Sequence, residues 1–280
     1  MGDRLRAVWD FDDLDASQRR FEELLQLEAS DSARGDILTQ LARVEGLRER
    51  FEAGEALVAE AEALGGPSAR VLLERGRLRR SSGDREEALP LFESAFALAL
   101  EAGDEFIAVD AAHMAAMAAA DREGMVTWAE RGIEIAERSD EPDVRYWLGP
   151  LLNNIGWEYY GASEHEAALD AFYRALAARE SDPRNAEATE IARYAVAKTL
   201  NAIGRPGEAA SLLEQALAWT STLGNPDGWF HEELAAAYAA LGRKSEAREQ
   251  AELALPLLLA QDESFAVEGE RAERLRALAA

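Results

Sequence analysis

Residues Leu151–Ala175 of this 280-residue chain, LLNNIGWEYYGASEHEAALDAFYRA, give the clearest indication of its fold. Large apolar, small and aromatic residues recur in both halves of this stretch, mostly at intervals of three and four: Leu152, Ile155, Gly156 and Tyr159, then Ala168, Phe172 and Ala175. Residues with that spacing share one face of an α-helix. The stretch therefore predicts two short helices packed back to back.

Imperfect copies of this helix pair run through the chain. One residue opens the second helix of each copy, and it is small in all but the third: Gly54, Ala88, Met125, Ala168, Ala209 and Ala247. Successive positions are 34, 37, 43, 41 and 38 residues apart, and self-similarity at such a period is typical of a repeat array. The longer spacings require extra helical turns or longer links. The third copy, around Ala111–Gly132, matches poorly.

Two further rows of small residues support this register. The first helices contain Ala42, Gly76, Gly156, Ala197 and Ala235, and the second helices later contain Ala61, Ala95, Gly132, Ala175, Ala216 and Ala254. Small side chains let helix axes approach closely, so a large side chain at Ala168 or Ala175 would overpack the contact by roughly 1–3 kcal/mol. The sequence predicts about six packed helix pairs.

Composition indicates an all-α fold. Ala, Leu, Glu and Arg, which favour helices, dominate, while Ile, Val and Thr are sparse. A repeat array grows without a larger core because each pair buries its apolar face on its neighbours. We expect one elongated repeat domain over residues 34–262, an N-terminal capping segment over 1–33 and a C-terminal capping helix over 263–280.

The formal charge of −24 argues against two classes of partner. An acidic surface repels phosphate backbones and anionic lipid, so we expect neither nucleic acid nor a membrane surface as the main partner. The chain has no cysteine, which excludes disulfides and thiolate metal sites. Neither a secretion signal nor an apolar run long enough to span a membrane is present, and we expect a cytoplasmic protein.

Motifs of catalysis and metal binding are missing or incomplete. His231-Glu232-Glu233-Leu234 resembles the start of the zinc motif H-E-x-x-H, but Ala235 stands where the second histidine is required. The acidic residues between Asp10 and Asp15 lack the glycine and distant glutamate of a calcium loop. The usual glycine-rich phosphate loops and the nucleophile elbow do not occur. We expect no enzymatic activity, no cofactor and no bound metal.

On these motifs the chain resembles tetratricopeptide-repeat proteins over residues 34–262. The fourth and sixth copies, Leu152–Ala175 and Glu232–Ala254, match the family pattern W-x₂-L-G-x₂-Y…A-x₃-F best. The segments WDFDD near the start, DAAHM at 110–114, LLNNIGW at 151–157 and HEEL at 231–234 are similar to a bacterial subgroup of the family. The resemblance implies an α-solenoid wound as a right-handed superhelix, with a concave groove lined by the first helices.

The resemblance also implies which side chains face that groove. Carried over repeat by repeat, the candidate ligand-binding residues are Arg43, Arg77, Arg80, His113, Asn153, Trp157, Tyr160, Tyr194, Lys198 and Asn201. Arginine side chains beside an asparagine suit a carboxylate or an acidic segment of a ligand. The aromatic rings would supply flat apolar surfaces for its side chains.

A structural role for each of these residues remains open. The arginines could instead pair with glutamates of neighbouring helices, and Trp157 and Tyr160 could pack between repeats. His113, between Ala112 and Met114, could be a packed or hydrogen-bonded histidine, and Asn153 could bond a neighbouring helix.

Two functions follow from the resemblance. The first is a scaffold or adaptor that binds a peptide or a partner-protein segment in the groove. The alternative is a regulatory sensor that binds a small molecule or a signalling peptide and acts through a separate regulator, since no DNA-binding or ATPase module is visible in this sequence.

Overall fold

The computed structural model of the chain describes residues 4–182, 184, 186–224, 226–262, 265 and 269–280. The predicted capping helix over 263–280 therefore falls partly outside the described residues, at 263, 264 and 266–268. Helices and loops make up the described ranges, which contain no strand. None of the described helices combines the length and the apolar character that crossing a membrane requires.

A short 3₁₀ helix, Arg6–Val8, precedes fifteen α-helices in the described part of the chain. They are α1 (Leu14–Leu27), α2 (Asp31–Leu47), α3 (Phe51–Gly65), α4 (Ala69–Ser82), α5 (Arg85–Ala102), α6 (Glu105–Ala118), α7 (Arg122–Arg138), α8 (Pro142–Arg145), α9 (Leu148–Gly161), α10 (His165–Glu180), α11 (Ala186–Ala202), α12 (Pro206–Leu223), α13 (Gly228–Ala240), α14 (Lys244–Gln261) and α15 (Gly269–Ala279).

Twelve of these helices form six consecutive pairs: α2 with α3, α4 with α5, α6 with α7, α9 with α10, α11 with α12, and α13 with α14. In every pair the predicted small or methionine residue lies in the second helix. The predicted all-α fold of consecutive helix pairs is confirmed. Below, "first helix" means α2, α4, α6, α9, α11 or α13.

The chain divides into two compact units, Met1–Leu151 and Leu152–Ala280. Unit 1 holds α1 to α8 and the first residues of α9, and unit 2 holds the remainder of α9 with α10 to α15. The division falls inside the fourth helix pair. The domain boundaries at 33/34 and 262/263 stay predictions.

Small residues let the helices of a pair touch. A Cβ atom on Gly76 would lie 2.5 Å from the ring of Phe92, and one on Gly156 would lie 2.4 Å from the ring of Phe172. Both rings are fully buried. The same glycine-on-phenylalanine contact therefore occurs once in each unit, 80 residues apart, because α4 with α5 and α9 with α10 are copies of one repeat.

The third pair is well formed although its sequence pattern is weak. Met125 is half-buried, whereas the corresponding residue of the other pairs, a glycine in the first and an alanine in the rest, is buried. A Cβ on Gly132 would lie 2.9 Å from Leu151 and 3.3 Å from Cβ of Ala112. Gly132, the later small residue of α7, therefore still allows the helices to pack closely. Met125, the residue that opens α7, does not follow the repeat pattern.

Caps and turns set the helix boundaries. The first helices α2, α4, α6 and α13 begin after a serine or aspartate whose side chain accepts a hydrogen bond from the first turn: Ser30, Ser68, Asp104 and Asp227. Gly83 ends α4 in the left-handed region, with φ +104°, where glycine carries no steric penalty. The longest repeat spacing, 43 residues, contains the extra helix α8, which begins at Pro142.

Both ends of the chain carry additional helices. Phe21 of α1 is fully buried in a core cluster with Ile37, Leu38 and Leu41 of α2. At the other end, Leu275 of α15 is 2% exposed and shares a cluster with residues of α13 and α14. These helices cover apolar surface of the pairs beside them, as capping helices of repeat arrays do.

Candidate functional site

The segment before α1 lies along the first helices of unit 1. The indole Nε1 of Trp9 donates to Gln40 Oε1 of α2 at 2.9 Å. Further along, Arg6 Nε lies 3.8 Å from Asp143 Oδ1 of α8, and the Arg6 guanidinium lies 4.2 Å from the ring centroid of Tyr146. The segment thus reaches from α2 to α8 across the face on which the candidate residues Arg43, Arg77 and His113 were predicted. Sequence reasoning assigned it only a capping role.

Arg77 forms a buried ion cluster with two carboxylates. Its guanidinium donates to Glu74 on the same helix and to Asp110 on α6, and the side chains of Glu74 and Asp110 are each 3% exposed. Burial opposes the charged form of Arg77, but the carboxylates of Asp110 and Glu74 outweigh it and raise its pKa. Burial likewise favours protonation of Asp110, yet Arg77 and Arg43 hold the pKa of that carboxyl below its usual range. Among the candidate arginines, Arg77 therefore pairs with carboxylates, one on its own helix α4 and one on the next first helix, α6.

Arg43 differs from Arg77, because it makes no ion pair with the described residues. Its guanidinium lies 5.6 Å from the ring centroid of Trp9 and 5.5 Å from that of Phe11. Burial and the nearby Arg77 charge lower the pKa of Arg43. Arg43 is therefore a desolvated cation that contacts two aromatic rings and has no carboxylate partner among the described residues.

Arg80 and His113 lie further along this face. Arg80 Nε donates to the carbonyl of Met117 at 3.4 Å and forms no ion pair within the described ranges. His113 packs on Trp147 with ring centroids 5.1 Å apart, and its Nδ1 is buried without a hydrogen-bond partner. Burial lowers the pKa of His113 to about 4, with Arg77 and Arg80 acting in the same direction against Asp110. The imidazole is therefore neutral at pH 7.

A pocket of about 140 Å³ lies where the N-terminal segment crosses the first helices of unit 1. We call it the unit-1 pocket. Its lining comprises Arg6, Trp9, Phe11, Gln40, Arg43, Arg70, Leu73, Glu74, Phe106, Ile107, Asp110, Tyr146 and Trp147. Two buried polar atoms of these residues have no hydrogen-bond partner, namely Glu74 Oε2 and Trp147 Nε1. Of the predicted site residues, only Arg43 lines it.

In unit 2 the candidate aromatic residues are partly packed and partly open. Trp157 makes edge contacts with Tyr160 and Phe172, with ring centroids 5.6 and 5.0 Å apart. Tyr194 stacks on Phe230 of α13 at 5.4 Å, and burial raises its pKa to about 12. Since Trp157, Tyr160 and Tyr194 are all half-buried, each contributes both to packing between helices and to the surface.

Lys198 and Asn201 of α11 converge on Glu233 of α13. Lys198 forms an ion pair with the Glu233 carboxylate, which outweighs the effect of burial and, together with Tyr194, raises the pKa of the lysine. Asn201 Nδ2 donates to the Glu233 carbonyl at 3.0 Å and to its carboxylate at 3.1 Å, while Asn201 Oδ1 is buried without a partner.

The side-chain Oδ1 of Asn153 in α9 is buried and has no hydrogen-bond partner among the described residues. Asn153 lies one and two turns before Trp157 and Tyr160, on the same stripe of the helix. The first helices of unit 2 thus present two asparagines, Asn153 and Asn201, whose side-chain carbonyl oxygens are unused.

A cleft of about 320 Å³ lies beside Asn201 and is called the unit-2 cleft. It is lined by Tyr160, Lys198, Asn201, Ala202, Glu232, Glu233, Ala236, Arg274, Leu275 and Leu278. Arg271 of α15 donates from Nε to both oxygens of the Glu232 carboxylate at 2.8 and 3.0 Å and from Nη2 to Oε2, which ties α15 to α13. Arg274 forms no ion pair in the described part of unit 2, so it is available to an anionic group.

The incomplete zinc motif has a different use. His231 Nδ1 lies 2.7 Å from Gln250 Oε1 of α14. Among the described residues, no group of three histidine or carboxylate side chains is arranged to hold a metal ion.

Sequence reasoning missed most of the unit-1 pocket. Trp9 and Phe11 were visible as aromatic residues in an acidic segment, but nothing in the repeat pattern relates them to α2. Trp147 follows the inserted helix α8, and the repeat pattern has no equivalent of this segment. Glu74 and Asp110 precede candidate residues by three positions in their own helices, so they could have been read as partners of Arg77.

Comparison with known proteins rests on structure, because no family model matches the chain and no curated protein matches it either. The sensor-bearing signal-transduction ATPase (STAND protein) of Pyrococcus horikoshii, which has a tetratricopeptide-repeat sensor, matches with a TM-score of 0.70 at 15% identity, over 89% of this chain and 39% of that one. This chain has the tetratricopeptide-repeat fold. It spans well under half the length of the Pyrococcus protein.

Two further tetratricopeptide-like structures match this repeat chain. The apo form of the quorum sensor NprR from B. thuringiensis gives a TM-score of 0.58 at 12% identity, over 96% of this chain and 83% of that one. A Podospora anserina protein of nearly identical TPR-like repeats gives a TM-score of 0.54 at 20% identity. The match covers 70% of this chain and 96% of that one. At these identities the likeness establishes the fold.

Proposed function

We propose that this protein is an interaction scaffold that binds an extended peptide or partner-protein segment along the first helices of unit 2. The observation that carries the proposal is the pair Asn153 and Asn201 on neighbouring first helices, each with a buried and unused side-chain oxygen. A buried polar group without a partner costs roughly 1–3 kcal/mol. A backbone N–H of a bound peptide would relieve that cost at each position.

The surroundings of the two asparagines suit a peptide. Trp157 and Tyr160 offer half-buried aromatic surface next to Asn153, which binds side chains at low entropic cost. Lys198 is balanced by Glu233, so it adds little net charge. Arg274 lines the unit-2 cleft and has no carboxylate partner among the described residues, and we propose that it receives a carboxylate or an acidic side chain of the partner.

The N-terminal segment supports the choice of unit 2. In unit 1 this segment covers the face of the first helices and is held there by contacts of Trp9 and Arg6. An extended peptide would have to displace it. In unit 2 the corresponding face is bordered by α15 and carries the unit-2 cleft.

A peptide library displayed on phage and selected against the immobilised full chain tests this proposal. The affinity of a selected peptide would then be measured for the wild type, for Asn153→Ala and for Asn201→Ala. Each loss of a neutral hydrogen bond should weaken binding roughly 2- to 10-fold. Tyr173→Ala is the matched control, because Tyr173 is an aromatic residue 39% exposed on the second helix α10.

The proposal fails if no peptide is selected. It also fails if both asparagine variants bind the selected peptide as the wild type does, since the peptide would then lie elsewhere.

A sensor of small molecules is a second candidate function, favoured by the unit-1 pocket. Two proteins of the same fold are named as a sensor or as carrying one. A sensor of this kind would act through a separate regulator, and its ligand would be retained by Trp9 and Phe11 of the N-terminal segment.

A further inference from the structure

The unit-1 pocket contains one unused cationic donor and one unused anionic acceptor. Arg43 has no carboxylate partner within the described residues, whereas Arg6 pairs with Asp143 and Arg70 with Asp36. Glu74 is 2% exposed; one of its oxygens accepts from Arg77 and the other, Oε2, is free. Arg43 and Glu74 are therefore the charged groups of the pocket left without a full set of partners among the described residues, and Trp147 Nε1 is an additional neutral donor without one.

The charges of the pocket restrict its ligand. The buried cluster of Arg43, Arg77, Glu74 and Asp110 is neutral, with two positive and two negative side chains. A simple anion would leave it with a net negative charge, and a simple cation with a net positive one. Uncompensated charge is costly in a poorly solvated site. A ligand that carries both charges satisfies Arg43 and Glu74 together and leaves the cluster neutral.

The walls of the pocket indicate the rest of the ligand. Trp9 and Phe11 enclose it from the N-terminal segment, and Phe106, Tyr146 and Trp147 from the other side. A cavity of about 150 Å³ with apolar walls accommodates a benzene ring, and this one measures about 140 Å³. The ligand body is therefore apolar and about the size of one ring.

We propose that the unit-1 pocket binds a free amino acid with an apolar side chain of ring size. Its carboxylate accepts from the Arg43 guanidinium, and its ammonium group donates to Glu74 Oε2. The aromatic residues of the pocket cover its side chain. An extended peptide is excluded because the N-terminal segment crosses the pocket, bonding to Gln40 at one end and to Asp143 at the other. This site is separate from the peptide site proposed for unit 2.

Isothermal titration calorimetry of the full chain tests the assignment with three probes. L-phenylalanine carries both charges, phenylalaninamide lacks the carboxylate, and 3-phenylpropionate lacks the ammonium group. L-phenylalanine should bind, and each analogue should bind roughly 10- to 100-fold more weakly, because it loses one charge-assisted hydrogen bond.

Two variants locate the site. Arg43→Met should weaken L-phenylalanine binding by the same factor, while Arg80→Met, which removes an arginine outside the pocket lining, should bind as the wild type does. Circular dichroism and thermal melting establish that both variants are folded. A Glu74→Gln variant, which is isosteric, should bind L-phenylalanine more weakly but 3-phenylpropionate at least as tightly as the wild type does, because the anion then neutralises the cluster.

The inference is overturned if L-phenylalanine produces no binding heat at millimolar concentration, or if either analogue binds as tightly. Unchanged affinity in folded Arg43→Met also overturns it. Since the peptide proposal is measured with Asn153 and Asn201 variants, either proposal can fail while the other stands.

Discussion

Gly156 of α9 lies directly against the ring of Phe172 in α10, and a Cβ atom at Gly156 would be 2.4 Å from Cε1 of that ring. Alanine is favoured over glycine in a helix by about 1 kcal/mol, so propensity alone would make Gly156→Ala stabilising. Phe172 is fully buried, and Trp157 packs against its ring with centroids 5.0 Å apart. We predict instead that Gly156→Ala lowers the free energy of unfolding by about 1–3 kcal/mol.

Urea denaturation of Gly156→Ala and of Gly161→Ala measures this effect. Gly161 ends the same helix, and no atom lies within 4 Å of a Cβ added there, so its variant should be neutral or slightly stabilised. Equal stability of the two variants would show that the contact between α9 and α10 is not tight.

Much of the fold follows from such contacts, and they are local enough to read from the sequence. Gly156 and Phe172 are 16 residues apart, and Gly76 and Phe92 repeat the same spacing. One well-matched repeat therefore predicts the others. The length of the array follows from counting the copies, and the all-α class follows from the composition.

The candidate site was less predictable because its partners come from outside the repeat register. Arg77 was a groove candidate, yet its pairing with Asp110 joins residues 33 positions apart on neighbouring helices. Which of several nearby carboxylates an arginine selects depends on helix geometry. Arg43 lies about one helical turn from Gln40, which the N-terminal segment contacts, and its aromatic neighbours Trp9 and Phe11 come from that segment and not from a repeat.

The ion cluster of Arg77 yields a second prediction. Arg77→Met removes the cation that bonds to both Glu74 and Asp110 and leaves Arg43 as the nearby positive charge, and breaking a buried pair in this way costs about 3–5 kcal/mol. Chemical denaturation should show this loss, whereas Arg80→Met should change stability by less than about 1 kcal/mol. A stable Arg77→Met protein would mean that water reaches the two carboxylates.

His113 predicts a loss of stability in mild acid. Its pKa is about 4 in the folded chain and about 6.5 in the unfolded one. Between those values the unfolded chain binds a proton that the folded chain excludes, so stability falls as pH falls. At pH 5 the loss is up to about 2 kcal/mol relative to pH 7.

The measurement is denaturation at pH 7 and pH 5 for the wild type and for His113→Asn. The asparagine variant should lose less stability between the two pH values, whatever its stability at pH 7. An identical loss in both proteins would assign the acid sensitivity to other groups.

Limited proteolysis can measure how firmly the N-terminal segment is attached to unit 1. Trp9 anchors it through the bond to Gln40 and by contacts with Phe11 and Phe21 at 4.8 and 5.2 Å. Trp9→Ala should speed trypsin cleavage after Arg6, because local opening exposes the backbone. Phe11→Ala removes a ring that is 58% exposed and should have a smaller effect. Equal cleavage rates in wild type and Trp9→Ala would show that the segment is held elsewhere.

Photo-crosslinking tests the proposed peptide site in unit 2 most directly. Benzoylphenylalanine would replace Tyr160 on the first helix α9 in one protein and Tyr173 on the second helix α10 in another, each irradiated with a selected peptide. We predict a crosslinked product from position 160 and none from position 173. Crosslinking from position 173 alone would contradict it, because the peptide would then lie on the opposite helices of the repeats.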